Sequence, residues 1–194
     1  MPEIQKMRCP WCGDTPVYVR YHDEEWGVPL HDDRALFELL VLEGAQAGLS
    51  WLTVLKRREG YRQAYRDFVP ERVAAFDADK LATLATDVRI IRNRAKIAAS
   101  VANARAFLAI AAAFGSFSAY LWRFVDGVPV VGGWEAMRQI PAQTPLAATL
   151  SRDLKARGMA FVGPTICYAF LQSAGLVNDH LRGCFRFREL TGAA

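Results

Sequence analysis

An apolar run at residues 35–42 leads directly into an acidic residue, Glu43, and this stretch restricts the fold more than any other. The run has the length and composition of a helix that packs one side against a core, and Asp32 or Asp33 can cap its start. Glu43 has no basic neighbour in the segment, and a buried carboxylate without a partner is costly. We therefore expect Glu43 to be protonated, well hydrogen-bonded, or placed to receive a cationic or donor-rich ligand.

The residues after Glu43 are mostly small and end in an indole. Glycine, alanine and serine remove side-chain bulk between positions 44 and 50, and Trp51 then offers a flat face. One acid, several small residues and one indole together favour a slot for a flat polar ring. A capped core helix followed by a turn explains the same residues, so this stretch alone leaves both interpretations open.

The rest of the chain predicts an all-α protein. Apolar segments at helical spacing fill most of residues 52–125 and 149–174, with a last turn at 180–184 and a frayed tail after 188, whereas residues 7–34 and 126–145 read as irregular. No stretch alternates apolar and polar residues over the length of a strand, so we expect no β-sheet. With 194 residues, 52% of them hydrophobic and 23% charged, the chain suits a single domain over residues 1–194.

Charge and targeting signals narrow the class of protein. The net charge of +4 and the pI near 9.0 favour an acidic partner such as nucleic acid, without requiring one. We expect no run of apolar residues to be long enough to span a bilayer, and the first residues lack the apolar core of a signal peptide. We therefore expect a cytoplasmic protein with no membrane partner, whose cysteines are metal ligands or buried hydrophobes rather than disulfides.

Cysteine and histidine residues near the two ends of the chain form a candidate metal site. His180 and Cys184 are four positions apart, so a helical turn would place both on one face. Together with Cys9 and His22 they supply two sulfur and two nitrogen ligands, which suits a structural zinc that ties the chain ends together. The spacing is not that of a compact zinc finger, so unligated residues remain an alternative, and Cys12 is a competing thiol.

Two turns are candidates for contact with DNA, and a third segment, the strongly basic stretch at residues 86–96, is more readily explained as a solvated helix face. Residues 151–174 predict a helix, a glycine turn and a second helix, in which Gly163 lets the backbone approach a partner and the helix near Thr165 presents free N–H groups to a phosphate. An ordinary helical hairpin explains this pattern as well. Leu49, between Gly48 and Ser50, is the apolar tip of the other turn, and an exposed apolar residue can enter a base stack. A leucine in a turn is more often buried.

Taken together, these segments resemble the DNA-3-methyladenine glycosylase I family, which belongs to the helix-hairpin-helix glycosylase superfamily. The resemblance covers nearly the whole chain and rests on several specific blocks. These are YHD at 21–23, WGVP at 26–29, LEG at 42–44, QAGLSW at 46–51, IIR at 90–92, NARA at 103–106, FVG at 161–163, TICY at 165–168 and GLVNDH at 175–180.

The resemblance implies an all-α, two-subdomain enzyme that hydrolyses the N-glycosidic bond of 3-methyladenine. Its expected partners are double-stranded DNA with alkylated bases and the free base as product, and we expect a monomer. The resemblance also implies that this family lacks the catalytic aspartate of related glycosylases, so Asp179 is not assigned that role.

The resemblance further implies a role for each candidate residue. Glu43 is the expected catalytic residue, and the base pocket is formed by Trp51, Tyr18, Tyr21 and Trp26. Leu49, beside Gly48, would fill the gap left by a flipped base, while Gly163 and Thr165 in a helix-hairpin-helix at about 151–174 would hold a phosphate. One structural zinc is expected on Cys9, His22, His180 and Cys184.

Three other functions stay open on the residues alone. The enzyme could act on 3-methylguanine or a broader set of alkylated bases. The chain could instead be a non-catalytic DNA-binding module, although phosphate binding requires neither Glu43 nor Trp51. A redox protein that uses Cys9 and Cys12 would need a βαβ context, which the sequence does not show.

Overall fold

The computed structural model describes residues 6–192 and is mostly helical, as the sequence predicts. Its helices are α1 (Pro16–Glu24), α2 (Asp33–Gln46), α3 (Trp51–Leu55), α4 (Arg58–Ala64), α5 (Pro70–Ala74), α6 (Ala78–Thr86), α7 (Arg94–Phe114), α8 (Phe117–Trp122), α9 (Pro145–Ala156), α10 (Pro164–Ser173) and α11 (Phe185–Thr191). Short 3-10 turns lie at Pro10–Cys12, Arg66–Phe68, Arg123–Val125 and Met137–Gln139.

Polar side chains define where several helices begin. Asp32 accepts a hydrogen bond from the Ala35 amide at the start of α2, which confirms the first of the two predicted caps. Ser50 caps α3 and Thr144 caps α9 in the same way. These caps satisfy amide groups that have no partner within the helix, so local sequence fixes the first turn of each element.

Helix α7 forms the centre of the fold and packs against α2, α5, α6 and α8. By length and composition alone α7 could cross a membrane, so the expectation that no segment is long and apolar enough was wrong. Half of its apolar window is buried inside the protein. Because α7 carries neighbours on several sides, it is placed as a core helix. Helices α9 and α10 pack on each other, and α10 also packs on α2.

The structure corrects the prediction that residues 7–34 are irregular. Helix α1 occupies Pro16–Glu24, and Pro16 stands in its first turn, where the missing N–H costs nothing. Aliphatic, aromatic and charged side chains are mixed along α1, so no apolar periodicity marks it as a helix in the sequence. The tail prediction also needs correcting, because α11 continues past residue 188 to Thr191.

Three further predictions of secondary structure differ from the described residues. A short parallel pair joins β1 (Val130–Val131) to β2 (Val177–Asn178), so the expected absence of a sheet was wrong. Residues 180–184 were predicted as a last helical turn, but they form an irregular turn between β2 and α11. Helix α9 begins at Pro145, before the predicted start near 149, since Thr144 and Pro145 supply the start signal.

Candidate active site and metal cluster

A cavity of about 280 Å³ opens between α1, α2, α10 and the segment at residues 137–142. Aromatic rings dominate its walls, and a few polar groups stand among them. This combination is typical of pockets that bind small flat molecules. The lining residues are Trp11, Tyr18, Tyr21, Trp26, Glu43, Gln46, Trp51, Met137, Ile140, Pro141, Ala142, Thr165, Tyr168, Ala169 and Gln172.

Glu43 lies in the last turns of α2 and is 3% exposed. Its Oε2 atom has no hydrogen-bond partner among the described residues. Burial raises the pKa of Glu43 to about 8, and a hydrogen bond from Ser173 opposes this shift. The carboxyl group is therefore largely protonated at neutral pH when the cavity is empty, and it can respond to a charge that enters.

Trp51 is the first residue of α3, which places it directly after the turn that follows α2. Its ring is 7% exposed and lies 5.4 Å from the ring of Tyr21, centroid to centroid. The indole Nε1 is buried and has no partner in the part of the chain that the structure describes. Because unpaired buried polar atoms are costly, Glu43 and Trp51 mark the cavity as a site that a polar ligand completes.

All the aromatic residues predicted for a base pocket line this cavity. Tyr18 and Tyr21 are three positions apart on α1, so they share one face of that helix. Trp11 also lines the cavity and was not predicted; its ring lies 5.0 Å from the ring of Tyr18 and 4.9 Å from the ring of Trp26. The only local signal at Trp11 is its position between Cys9 and Cys12, and that position does not indicate a base pocket.

One face of α10 was also missed. Thr165, Tyr168, Ala169 and Gln172 line the cavity, and their spacing is that of one helical stripe. Since Thr165 was already singled out, the residues three, four and seven positions later could have been found by helical periodicity. The segment at 137–142 gave no such signal, because its residues reach the cavity only through the tertiary fold.

The predicted metal residues form one buried cluster. The ligand atoms of Cys9, His22, His180 and Cys184 all lie within 4.8 Å of one another. The Sγ of Cys184 lies 3.4 Å from Nε2 of His22 and 3.6 Å from Nδ1 of His180. Cys12 is outside the cluster, and its Sγ lies 3.7 Å from the Gly13 carbonyl oxygen. The geometry therefore selects Cys9 over Cys12, and the group could hold a metal ion.

The outward nitrogens of both imidazoles have fixed partners. Nδ1 of His22 lies 2.8 Å from a carboxylate oxygen of Asp23, which also pairs with Arg8. Nε2 of His180 lies 2.9 Å from the carbonyl oxygen of Trp26. Each ring thus turns its other nitrogen toward the cysteines, which is the orientation that metal-binding histidines require. The donor set fits a tetrahedral ion such as zinc.

The chain is similar to known proteins in both sequence and structure. The sequence profile of the methyladenine glycosylase family matches residues 11–187. The chain is 47% identical to the DNA-3-methyladenine glycosylase of Haemophilus influenzae, over 91% of this chain and 96% of that protein. It is 48% identical to DNA-3-methyladenine glycosylase 1 of Escherichia coli, over 91% of this chain and 95% of that one. The chain belongs to the methyladenine glycosylase family.

Solved structures of similar proteins agree with this family. A crystal structure of 3-methyladenine DNA glycosylase I has a TM-score of 0.90 and 50% identity, and the match covers 92% of this chain and 98% of that one. The Staphylococcus aureus 3-methyladenine DNA glycosylase I, studied for its recognition of 3-methyladenine, has a TM-score of 0.89 and 43% identity over 92% and 95%. The resemblance inferred from the sequence blocks is confirmed.

In this methyladenine glycosylase the turn after α2 projects into solvent. Gly48 has a φ of 78°, in the left-handed region that favours glycine, and the next residue, Leu49, is 43% exposed. The Leu49 amide donates to the carbonyl oxygen of Gln46 at 2.6 Å, which keeps the turn tight. We refer to residues 47–50 as the tip. The alternative that Leu49 is buried in the core does not hold.

The connection between α9 and α10, residues 157–163, is the second predicted turn. Gly163 has a φ of −64° and caps α10 without a side-chain hydrogen bond, so its backbone is one that other residues adopt. The residue that needs glycine is Gly158, with a φ of 91°. Thr165 is exposed and lines the cavity, so it lies beside the pocket and not only at the predicted phosphate site.

Asp179 follows β2 and lies behind the cavity, with 1% of its surface exposed. The hydroxyl of Tyr168 donates to its carboxylate, and Nε2 of Gln172 donates at 2.7 Å. Nε1 of Trp134 donates to the other oxygen at 2.7 Å. Three donors occupy this carboxylate, and its bond to Trp134 ties the segment that supplies residues 137–142 to the pocket wall.

Proposed function

We propose that this protein is a DNA repair glycosylase that hydrolyses the N-glycosidic bond of 3-methyladenine in alkylated DNA. The observation that carries the proposal is a buried acid and a buried indole with unpartnered polar atoms, Glu43 and Trp51, in one aromatic cavity. The family and the names of its relatives support the same reaction. The protein is an enzyme, a hydrolase of N-glycosyl bonds.

The positive charge of the substrate explains why one acid and several aromatic rings suffice to cleave its glycosidic bond. Adenine methylated at N3 carries positive charge in the nucleotide, so its glycosidic bond is weakened before the enzyme acts. A cation beside Glu43 favours the carboxylate and lowers the pKa that burial has raised. Glu43 then complements the charged base and accepts from its amino group, while Trp51 stacks on the ring. Water attacks the sugar as the bond is lost.

The remaining pocket residues hold the base. Tyr18, Tyr21 and Trp26 line the cavity and give it rigid flat walls. A base reaches this cavity only after it leaves the DNA stack, which costs a few kcal/mol in a normal duplex and less at a damaged base. These three aromatic residues and Glu43 together discriminate between 3-methyladenine and other alkylated bases.

We propose that two turns hold the DNA while the base is flipped. Leu49, with Gly48 beside it, enters the gap in the stack, since an exposed apolar side chain at a tight turn suits that role. The Thr165 amide, in the first turn of α10 after Gly163, receives a phosphate through its N–H and the helix dipole, since Pro164 has no N–H to donate. Residues 145–173 then act as a helix-hairpin-helix unit of a two-subdomain fold.

We propose one structural zinc on Cys9, His22, His180 and Cys184. Two sulfur and two nitrogen donors in a buried cluster, with both histidines held from behind, support this choice of metal. The ion, when bound, supplies a cross-link between the two ends of the chain. A monomeric state and a cytoplasmic location stay predictions from the sequence.

The experiment is to incubate duplex DNA treated with a methylating agent and to identify the released base by mass spectrometry. We expect the wild-type protein to release 3-methyladenine, and Glu43→Gln to slow release by roughly 10²-fold or more, since electrostatic and acid–base groups contribute on that order. Glu59→Gln is the matched control, because Glu59 is exposed on α4.

Each outcome discriminates between functions. Release of another alkylated base in place of 3-methyladenine would change the substrate. DNA binding without release of any base would favour a non-catalytic module. A wild-type rate in Glu43→Gln would remove Glu43 from the reaction.

A further inference from the structure

Lys96, in the first turns of α7, reaches across to the end of α2. Its Nζ donates to the carbonyl oxygen of Ala45 at 2.9 Å and to that of Ala47 at 2.6 Å. The last carbonyl groups of a helix have no partner within it and carry negative partial charge, so a cation satisfies both needs. Lys96 therefore holds the point where α2, which carries Glu43, passes into the tip.

Asn103 makes the equivalent contact with the other turn. Its Nδ2 donates to the Ala160 carbonyl oxygen at 2.9 Å, and the Ala160 amide donates to its Oδ1 at 2.8 Å. Asn103 is 4% exposed. The next residue, Phe161, has a φ of 55°, which is strained for a bulky side chain. The two-way bond to Asn103 holds the backbone in that unusual turn.

The two anchors lie on the same helix and hold two segments that each lead into a wall of the cavity, since the tip precedes Trp51 and the 157–163 turn is followed by Thr165. Lys96 and Asn103 are seven positions apart, so they share a face of α7 about 10 Å apart along its axis. No residue of α7 lines the cavity within the described chain. The 157–163 turn also lies close to α2, since a Cβ placed on Gly44 would stand 3.6 Å from Cβ of Phe161.

We infer that Lys96 and Asn103 are positioning residues that hold the tip and the 157–163 turn at a fixed separation on α7. DNA gripped by both segments then presents its damaged base to the cavity in one geometry. The inference rests on the proposed function. It adds that excision depends on two side chains outside the cavity, through backbone contacts only.

Lys96→Met tests the first anchor, with Arg94→Met as the matched control. Arg94 is exposed on the same helix, so both variants lose one positive charge and only one loses the anchor. With enzyme in excess over a 3-methyladenine duplex, we expect Lys96→Met to excise at least about 10-fold more slowly, because misplacement by an ångström can cost 10²-fold. We expect Arg94→Met to stay within about twofold. We expect Lys96→Arg to recover most of the rate, because a guanidinium can also donate to both carbonyl oxygens.

The affinity for free 3-methyladenine separates positioning from a change in the pocket. We expect it to be the same within about twofold in wild type and Lys96→Met, because the anchor touches neither the base nor the lining side chains. If the affinity falls as far as the excision rate, or if Lys96→Met and Arg94→Met behave alike, the inference is wrong.

Asn103→Leu and the double variant test whether the anchors act together. If one helix sets one separation, the fold-decrease in excision rate in Lys96→Met/Asn103→Leu is smaller than the product of the two single fold-decreases. Independent effects would multiply, and that result would contradict the inference. Amide hydrogen exchange gives a readout that needs no catalysis. We expect faster exchange at residues 45–50 in Lys96→Met and at 158–162 in Asn103→Leu.

The two proposals can fail separately. A wild-type protein that releases no base refutes the glycosylase function, and the exchange pattern still decides the anchors. A base-releasing protein with unchanged exchange in Lys96→Met refutes the anchors alone. If Asn103→Leu does not fold, the Lys96 variants decide.

Discussion

The metal cluster and the cavity are two buried polar regions that differ in whether their polar atoms have partners within the protein. In the cluster, the ring nitrogens of His22 and His180 contact either a cysteine sulfur or an outer partner. In the cavity, Glu43 and Trp51 each leave a buried polar atom unpaired. The donor atoms of the cluster converge on one another, which suits a structural ion that serves the fold, whereas the unpaired atoms of the cavity suit a ligand that binds and leaves.

The two regions share helix α1. Tyr21 faces the cavity and the next residue, His22, belongs to the cluster. Trp26 connects them, because its ring lines the cavity while its carbonyl oxygen lies 2.9 Å from His180. We therefore expect changes in the cluster to affect folding first, and changes in the cavity to affect ligand binding first.

The largest expected effect comes from a cluster thiol. We expect Cys9→Ser to lose its metal and to lower Tm by on the order of 10 °C or more, because a structural metal contributes several kcal/mol to folding. Cys12→Ser is the matched control, since Cys12 is equally buried and outside the cluster. Elemental analysis and thermal melts measure both. One zinc per chain in Cys9→Ser, or none in wild type, would contradict the proposed metal site.

The next effect concerns the stacking ring of the cavity. We expect Trp51→Ala to weaken binding of free 3-methyladenine by about 10- to 100-fold, since stacking of a base on an aromatic ring contributes about 1–3 kcal/mol. Trp51→Phe keeps a ring and loses the unpaired N–H, so its affinity should fall between the two. Isothermal titration measures all three proteins. Equal affinities would mean that Trp51 does not stack on the base.

A pH effect on stability tests the protonated acid. Glu43 has a pKa of about 8 in the folded protein and about 4.3 when unfolded. The folded state therefore binds the extra proton between these values, and raising the pH through this window destabilises wild type relative to Glu43→Gln. The slope is at most about 1.4 kcal/mol per pH unit.

Urea unfolding at pH 5, 7 and 9 measures this difference. Metal ligation has its own pH dependence, which both proteins share and which cancels in the comparison. Glu59→Gln should track wild type, because Glu59 is exposed. A constant difference between wild type and Glu43→Gln across the range would show that Glu43 is ionised in the empty cavity.

The smallest effect on stability is expected at the tip. Leu49→Ala should change the free energy of unfolding by no more than about 0.5 kcal/mol, because the side chain is largely in solvent. We expect excision from duplex DNA to slow several-fold, while release from single-stranded DNA is less affected. Val88→Ala is the control at another exposed apolar residue. Equal losses on both substrates would rule out a role in filling the stack.

Much of the site could be predicted from the sequence, because its signals are local. The acid at the end of an apolar helix, the cap at Asp32 and the cysteine–histidine set all follow from residue types and short spacings. The partner of Trp134, the wall at 137–142 and the pairing of β1 with β2 could not be predicted in this way. They join residues far apart in the chain, and no periodicity records such contacts.

Helix α1 could not be predicted from the sequence for another reason. Its side chains serve two interiors at once, so no single apolar stripe marks it as a helix. Trp11 was missed on similar grounds, since its role depends on rings that approach it from α1. A local pattern identifies an element that has one buried face, and α1 has two.

Because Tyr21 and His22 are adjacent, the helical register of α1 cannot shift without moving both side chains out of place. Each residue added to a helix turns everything beyond it by about 100°. A single insertion before Tyr21 would swing the tyrosine out of the cavity and the histidine away from the sulfurs in the same step. This part of the chain should therefore tolerate exchanges of side chains far better than any change in its length. By contrast, the segment at residues 126–145 has solvent-exposed stretches in which extra residues can be accommodated.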